Sequence, residues 1–400
     1  MKNLFTVIGL LLSVSAVANT TTQEFTLRNG MQVVVQEDHR APIVVSQVWY
    51  RAGGLDEVNG KTGVAHALEH MMFKGTPTVP AGQFSRQIAA VGGRENAFTS
   101  ADYTCYFQQL EKSQLALSFK LEADRMQNLL ISPEEFNKEI QVVMEERRWR
   151  TEDKPQSKVY EALLATSYHA HPYARPVIGF MNDLENMSYQ DARDWYATWY
   201  APNNAILVVV GDVNTAEVLA LAEQYFGGIP SKMLPARKPQ REPMQSGERR
   251  IVIEAPGKLS YLMLGYHVPV LEHPASDSEP YALEILAGIL SGNSVARLPQ
   301  RLVREQGVAV NVSANYDSVA RGQQGLFLLN GTLSENKTMA ELEAALLTEI
   351  ERIQSTGVSE EELARVKAGV IANNVYQRDA MFYQAMQLGV FAINGFQSTD

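Results

Sequence analysis

Cys105 is the single cysteine in a chain of 400 residues, so an intramolecular disulfide is impossible. Histidine is scarce too, with seven copies. Basic residues are outnumbered: 35 Lys and Arg against 45 Asp and Glu give a net charge of −10. That balance argues against nucleic acid or an anionic membrane surface as the partner, since both recruit basic patches. No segment beyond the N-terminus is long and apolar enough to span a bilayer, and no low-complexity tract is present. What is left is a composition of 45% hydrophobic and 20% charged residues, enough for two ordinary domains. Cys105 lies in the apolar, β-prone run Tyr103 to Phe107, which predicts a buried strand thiol rather than a nucleophile.

The N-terminus combines a basic start (Met1-Lys2-Asn3), an apolar run (Leu4 to Leu12) and a small-x-small end (Ala16-Val17-Ala18). In that order they predict a secretory signal over residues 1–18, and hence export, with a periplasmic location for the mature chain.

Glu24 to Leu27 and Met31 to Gln36 look like strands joined at Asn29-Gly30, a hairpin signal, and Ile43 to Tyr50 predicts a third. Helical patterns follow to Glu69 and over Phe84–Ala90, Gln114–Leu129 and Glu134–Arg150. Another near Tyr189–Tyr200 leads into the apolar strand Ala205–Gly211. The prolines at 230, 235, 239 and 243 make 229–247 a linker, and Arg250–Ala255 and Tyr261–His267 start a second set of strands. Ile131 to Phe136 and Val358 to Leu363 each place a Ser before a Glu three residues on, a capping box in front of a long helix. The expected fold is α+β: two related α/β domains, each a mainly antiparallel sheet packed with helices. They are expected at 19–228 and 248–400, the second cut short at its C-terminus because nothing in it answers to Met187–Val213.

The chemistry concentrates in His66-Ala67-Leu68-Glu69-His70. On a helix the two imidazoles stand one turn apart on one face, within reach of a single zinc ion, and Glu69 shares that face. This is H-x-x-E-H, the reverse of the commoner metallopeptidase order. With seven His and 32 Glu, chance supplies it in roughly one such chain per hundred. A catalytic zinc needs a third protein ligand and an open position. The remaining histidines show no partner pattern, so a carboxylate is the natural candidate. Glu139 and Glu146 lie seven apart on one face of the next acidic helix, and spacing alone leaves the choice between them open.

The run Gly63 to Thr76, with Glu95-Asn96-Ala97-Phe98-Thr99, His171-Pro172-Tyr173 and Ala201-Pro202-Asn203-Asn204, resembles the insulinase/pitrilysin family. It is most similar to the short, mitochondrial-processing-peptidase-like branch of exported bacterial type. The resemblance implies a zinc metallopeptidase with one zinc per chain. In it, Glu146 would be the third ligand, Glu139 the carboxylate behind the site, and Glu69 the general base. It further implies that Asn96, Ala97 and Phe98 lie on a strand edge that accepts extended peptide substrate. A non-catalytic peptide-binding or assembly subunit of the same fold is the alternative.

Family members that act alone carry an Arg, and a Tyr seven residues later, that grip the substrate. Aligned on Gly307 and Ala309, those positions hold Val303 and Val310, with Arg304 and Tyr316 as the nearby substitutes. The resemblance therefore implies a heterodimer with a related chain that supplies the Arg/Tyr pair. A homodimer using Arg304 and Tyr316 is the other possibility.

Overall fold

The computed structural model describes residues 22–398, so the expected signal over 1–18 lies outside the described residues. The first half contains strands β1 (Thr22–Thr26), β2 (Gln32–Glu37), β3 (Ile43–Tyr50), β4 (Arg94–Thr99), β5 (Thr104–Glu111) and β6 (Ala205–Gly211). Its helices are α1 (Val64–Met71), α2 (Gln83–Ala90), α3 (Leu115–Asn128), α4 (Pro133–Arg147), α5 (Pro155–Ser167), α6 (Met181–Asn186), α7 (Tyr189–Trp199) and α8 (Thr215–Tyr225). The strands form one sheet in the order β1-β2-β6-β3-β5-β4, antiparallel except where β6 runs parallel to β2. Gly30 takes the positive φ of 88° that the turn between β1 and β2 requires, as Asn29-Gly30 predicts.

The second half has β7 (Tyr261–Val268), β8 (Ala309–Asn315) and β9 (Gly325–Leu333), with α9 (Glu279–Ser291), α10 (Met339–Thr356), α11 (Glu360–Asp379) and α12 (Met381–Asn394). The sheet order β7-β9-β8 repeats β3-β5-β4, antiparallel throughout. Two related α/β units with mainly antiparallel sheets are therefore present, as expected. Ser132 and Ser359 cap α4 and α11 through the amides of Glu135 and Glu362. The returning carboxylates have other partners: Glu135 pairs with Lys138 and Glu362 with Arg297. Residues 229–247 carry no helix or strand, but Glu242 ties them down by accepting from the amides of His169, Ala170 and His171.

Two expectations change. Arg250–Ala255 is not a strand, because no neighbouring backbone pairs with it. And α12, although its residues follow the second sheet, covers the outer face of the first. Met381, Ala385, Leu388 and Ile393 pack there against Val45, Trp49, Ile206 and Val208. The opposite face, with Val33, Val48, Leu207 and Val209, packs against the other helices. Period-two side chains covered on both faces explain why β6 reads as an unbroken apolar run.

Gly389 of α12 sits directly on the Trp49 ring, and a Cβ there would lie 2.1 Å from a ring carbon. Gly389→Val should cost about 1–3 kcal/mol through overpacking. The expected readout is a Tm lower by several degrees with a shift in Trp49 emission. An unchanged Tm would mean that α12 does not seat on this face.

Candidate metal centre

Helix α1 starts at Gly63, whose φ of 86° and contact with the Ile178 carbonyl leave no room for a side chain. The Glu57 carboxylate accepts from the amides of Gly63 and Ala65 and so fixes the helix N-terminus. His66 and Glu69 are buried along α1 and His70 is half-buried. Helix α4 packs beside it and presents both Glu139 and Glu146 to the two imidazoles.

The distances separate the two glutamates. Glu146 Oε2 lies 3.6 Å from His66 Nε2 and 3.4 Å from His70 Nε2. His66, His70 and Glu146 each offer one donor atom, all within 4.8 Å of one another. Glu139 Oε1 instead accepts from His70 Nδ1 at 2.9 Å, while its other oxygen pairs with Lys74. That bond occupies His70 Nδ1 and turns Nε2 toward Glu146; burial opposes charge on the ring, but the Glu139 bond and the surrounding carboxylates hold its pKa above the ordinary imidazole value. Burial pushes the His66 imidazolium down to about 3, which keeps this ring neutral. Two imidazole nitrogens and one carboxylate oxygen therefore converge, and a cation bound among them would displace any proton held by His70. Such a set suits zinc: two imidazole nitrogens and one carboxylate oxygen, the three protein ligands that a catalytic zinc takes.

Glu69 stands apart from this triangle. Its Oε2 accepts from Thr99 Oγ1 at 2.5 Å, and burial pushes its carboxyl above the ordinary range against that bond. Thr99 ends β4, the outermost strand of the sheet, with Asn96, Ala97 and Phe98 just before it. Phe98 packs inward against Trp49, Tyr103 and Phe107. The outer edge of β4 bears no strand among the described residues.

Sequence reasoning did not single out Thr99, Lys74 or Arg150, whose guanidinium lies 2.8 Å from Glu146 Oε1. Thr99 and Lys74 both fall within quoted motif runs, but nothing in their spacing marks a bond to Glu69 or Glu139. Cys105 is fully buried on β5, and burial raises its thiol far above its usual value. Of the nearby substitutes for a substrate grip, the Tyr316 hydroxyl donates to the Pro269 carbonyl at 2.5 Å, and Arg304 is exposed beside Gln300. Val303 packs against the second core, whereas Val310 is exposed.

A solved protease structure from Helicobacter pylori superposes with a TM-score of 0.89 at 30% identity, over 94% of this chain and 90% of that one. The periplasmic protease PqqL of Escherichia coli shares the fold at a TM-score of 0.75 and 22% identity, over 94% of this chain and 43% of its own. The fold, with its two related α/β units, is thus one shared with a solved protease. The model of the insulinase family (peptidase family M16) matches residues 32–180, and that of the peptidase M16 inactive domain matches 186–370. Among curated relatives, the zinc protease PqqE of Helicobacter pylori is 33% identical over 350 residues, which is 86% of this chain and 77% of that protein. The chain belongs to the insulinase (M16) peptidase family.

Proposed function

We propose that the chain is a zinc-dependent endopeptidase acting on peptides or small unfolded proteins, with His66, His70 and Glu146 holding one zinc per chain. The observation that carries this reading is the convergence of two imidazole nitrogens and a carboxylate oxygen beside a buried carboxylate, under the open edge of β4. A zinc ion bound there would lower the pKa of a water and polarise the scissile carbonyl. Glu69 would accept a proton from such a water and return it to the leaving amine. Thr99 holds the Glu69 carboxylate by one oxygen, which leaves the other free. Glu139 keeps His70 in the tautomer that donates from Nε2. Asn96, Ala97 and Phe98 present an edge to which extended substrate adds as a strand. The N-terminal pattern supports export to the periplasm, and among the described residues no helix is long and apolar enough to cross a membrane.

The second half, with Val303 and Val310 at the grip positions and the Tyr316 hydroxyl engaged, favours a two-chain particle. In it, a related chain supplies an Arg/Tyr pair to polarise the peptide carbonyl.

Purified protein should carry about one zinc per chain. His66→Ala, His70→Ala and Glu146→Ala should each lose most of it, whereas Glu139→Gln should weaken binding about 10–100-fold. Metal analysis after dialysis checks this; full zinc in Glu146→Ala would reverse the roles of the two glutamates. Glu69→Gln should keep its zinc and lose about 10²–10⁴-fold in peptide hydrolysis, and near-normal turnover would remove Glu69 from the chemistry. For the partner, native mass measurement paired with peptidase assays decides. Full activity from the isolated chain, abolished by Arg304→Ala, would exclude the need for a second polypeptide.

A further inference from the structure

Three carboxylates stand around the two imidazoles, and a neighbour holds each of them. Glu69 gives Oε2 to Thr99, and Glu139 divides its oxygens between His70 and Lys74. Glu146 turns Oε2 to the histidine Nε2 atoms, while its Oε1 lies 2.8 Å from a terminal nitrogen of Arg150. A carboxylate with both oxygens free can clasp a cation with either one or two of them. Glu146, held in this way, has one to offer.

Local structure delivers Arg150 to that place. α4 ends at Arg147, and the chain continues as a π-helical turn, Arg148–Glu152, in which the Asp153 amide donates to the Arg148 carbonyl at 2.8 Å. Such wide turns are rare and gather at functional sites. Arg147 pins this one to α5 through bonds of 3.0 and 2.9 Å to Glu161. On its outer side the Lys154 ammonium sits 4.4 Å from the centre of the Trp149 ring. Arg148, on the same turn, supplies the contrast: it pairs with Glu145, whose side chain is 71% exposed, and an ion pair of that kind contributes little. The Glu146 side chain is only 16% exposed. A carboxylate so enclosed needs a partner for its second oxygen, and the partner sets how the first one points.

We propose that Arg150 is a positioning residue of the metal centre: by occupying Glu146 Oε1 it restricts Glu146 to one ligand oxygen, and so keeps a fourth position open for water. The inference rests on the zinc reading of His66, His70 and Glu146 given above. Arginine suits the task because its guanidinium stays charged at every working pH and its planar fork fixes the direction of the bond. The Arg150 side chain is 59% exposed and carries no lone pair to give a cation, so it acts through Glu146 and not by touching the ion. Without it, both Glu146 oxygens are free to ligate, and the place that water needs is contested.

The test loads the whole protein with cobalt(II), whose visible absorption weakens as its ligands increase in number. Arg150→Met keeps the apolar stem of an exposed side chain and should fold with an unchanged Tm. Its cobalt bands should be shifted and clearly weaker than those of the wild type. Arg150→Lys, which still donates to Oε1, should restore most of the wild-type spectrum. In the zinc forms, Arg150→Met should lower kcat about 10–100-fold and leave KM unmoved. A cobalt spectrum of Arg150→Met identical to that of the wild type overturns the role of Arg150 and leaves the zinc reading standing. Wild-type protein that takes up neither cobalt nor zinc overturns both.

Discussion

A helix with seven of its eight residues buried, two histidines and a glutamate among its residues, must find partners for the polar atoms that it carries inward. α1 does so unevenly. His70 Nδ1 is satisfied by Glu139 and Glu69 by Thr99, whereas His66 Nδ1 has no partner among the described residues. The Nε2 atoms of both histidines face Glu146 Oε2. Burial resists a proton at His66, whereas the carboxylates around His70 outweigh burial and favour one there. A divalent cation would satisfy both Nε2 atoms and Glu146 at once, displacing any proton held by His70. The rest of the first half follows from keeping this helix in place: the Glu57 cap, the glycine contact at Gly63, and α4 laid alongside with its two acids two turns apart.

The two halves share a strand order but differ in chemistry. The second offers no histidine pair, and its value to the first is mechanical. α12 seals the outer face of the first sheet. Arg321 reaches across to Asp56 at 2.5 Å, and its amide donates to Asp102 at 2.9 Å. Tyr173 also donates to Asp102, at 2.6 Å. These bonds grip the turn between β4 and β5, and so brace the strand that carries Thr99. The buried charges of this strut are paired and hydrogen-bonded, as buried charge must be.

Much of the fold was legible because its signals are local. Alternation and β-branching marked β3 and β6, Asn29-Gly30 marked the first hairpin, and Ser132 and Ser359 marked two helix starts. Arg250–Ala255 misled for an equally local reason: its residues suit a strand, but a strand exists only when another backbone pairs with it. The position of α12 was illegible, since an apolar helix face does not state which sheet it will cover.

For the site, the sequence by itself determined that two imidazoles and a carboxylate share one helix face, because a period of 3.6 residues admits no other placement of positions 66, 69 and 70. It also put Glu139 and Glu146 on one face of a second helix. Which of them meets the Nε2 atoms, and which takes Nδ1, was decided only by how α4 docks against α1. So were the bonds of Thr99 to Glu69 and of Lys74 to Glu139. Helical periodicity fixes directions within an element; distances between elements come from packing, which depends on residues far apart in the chain.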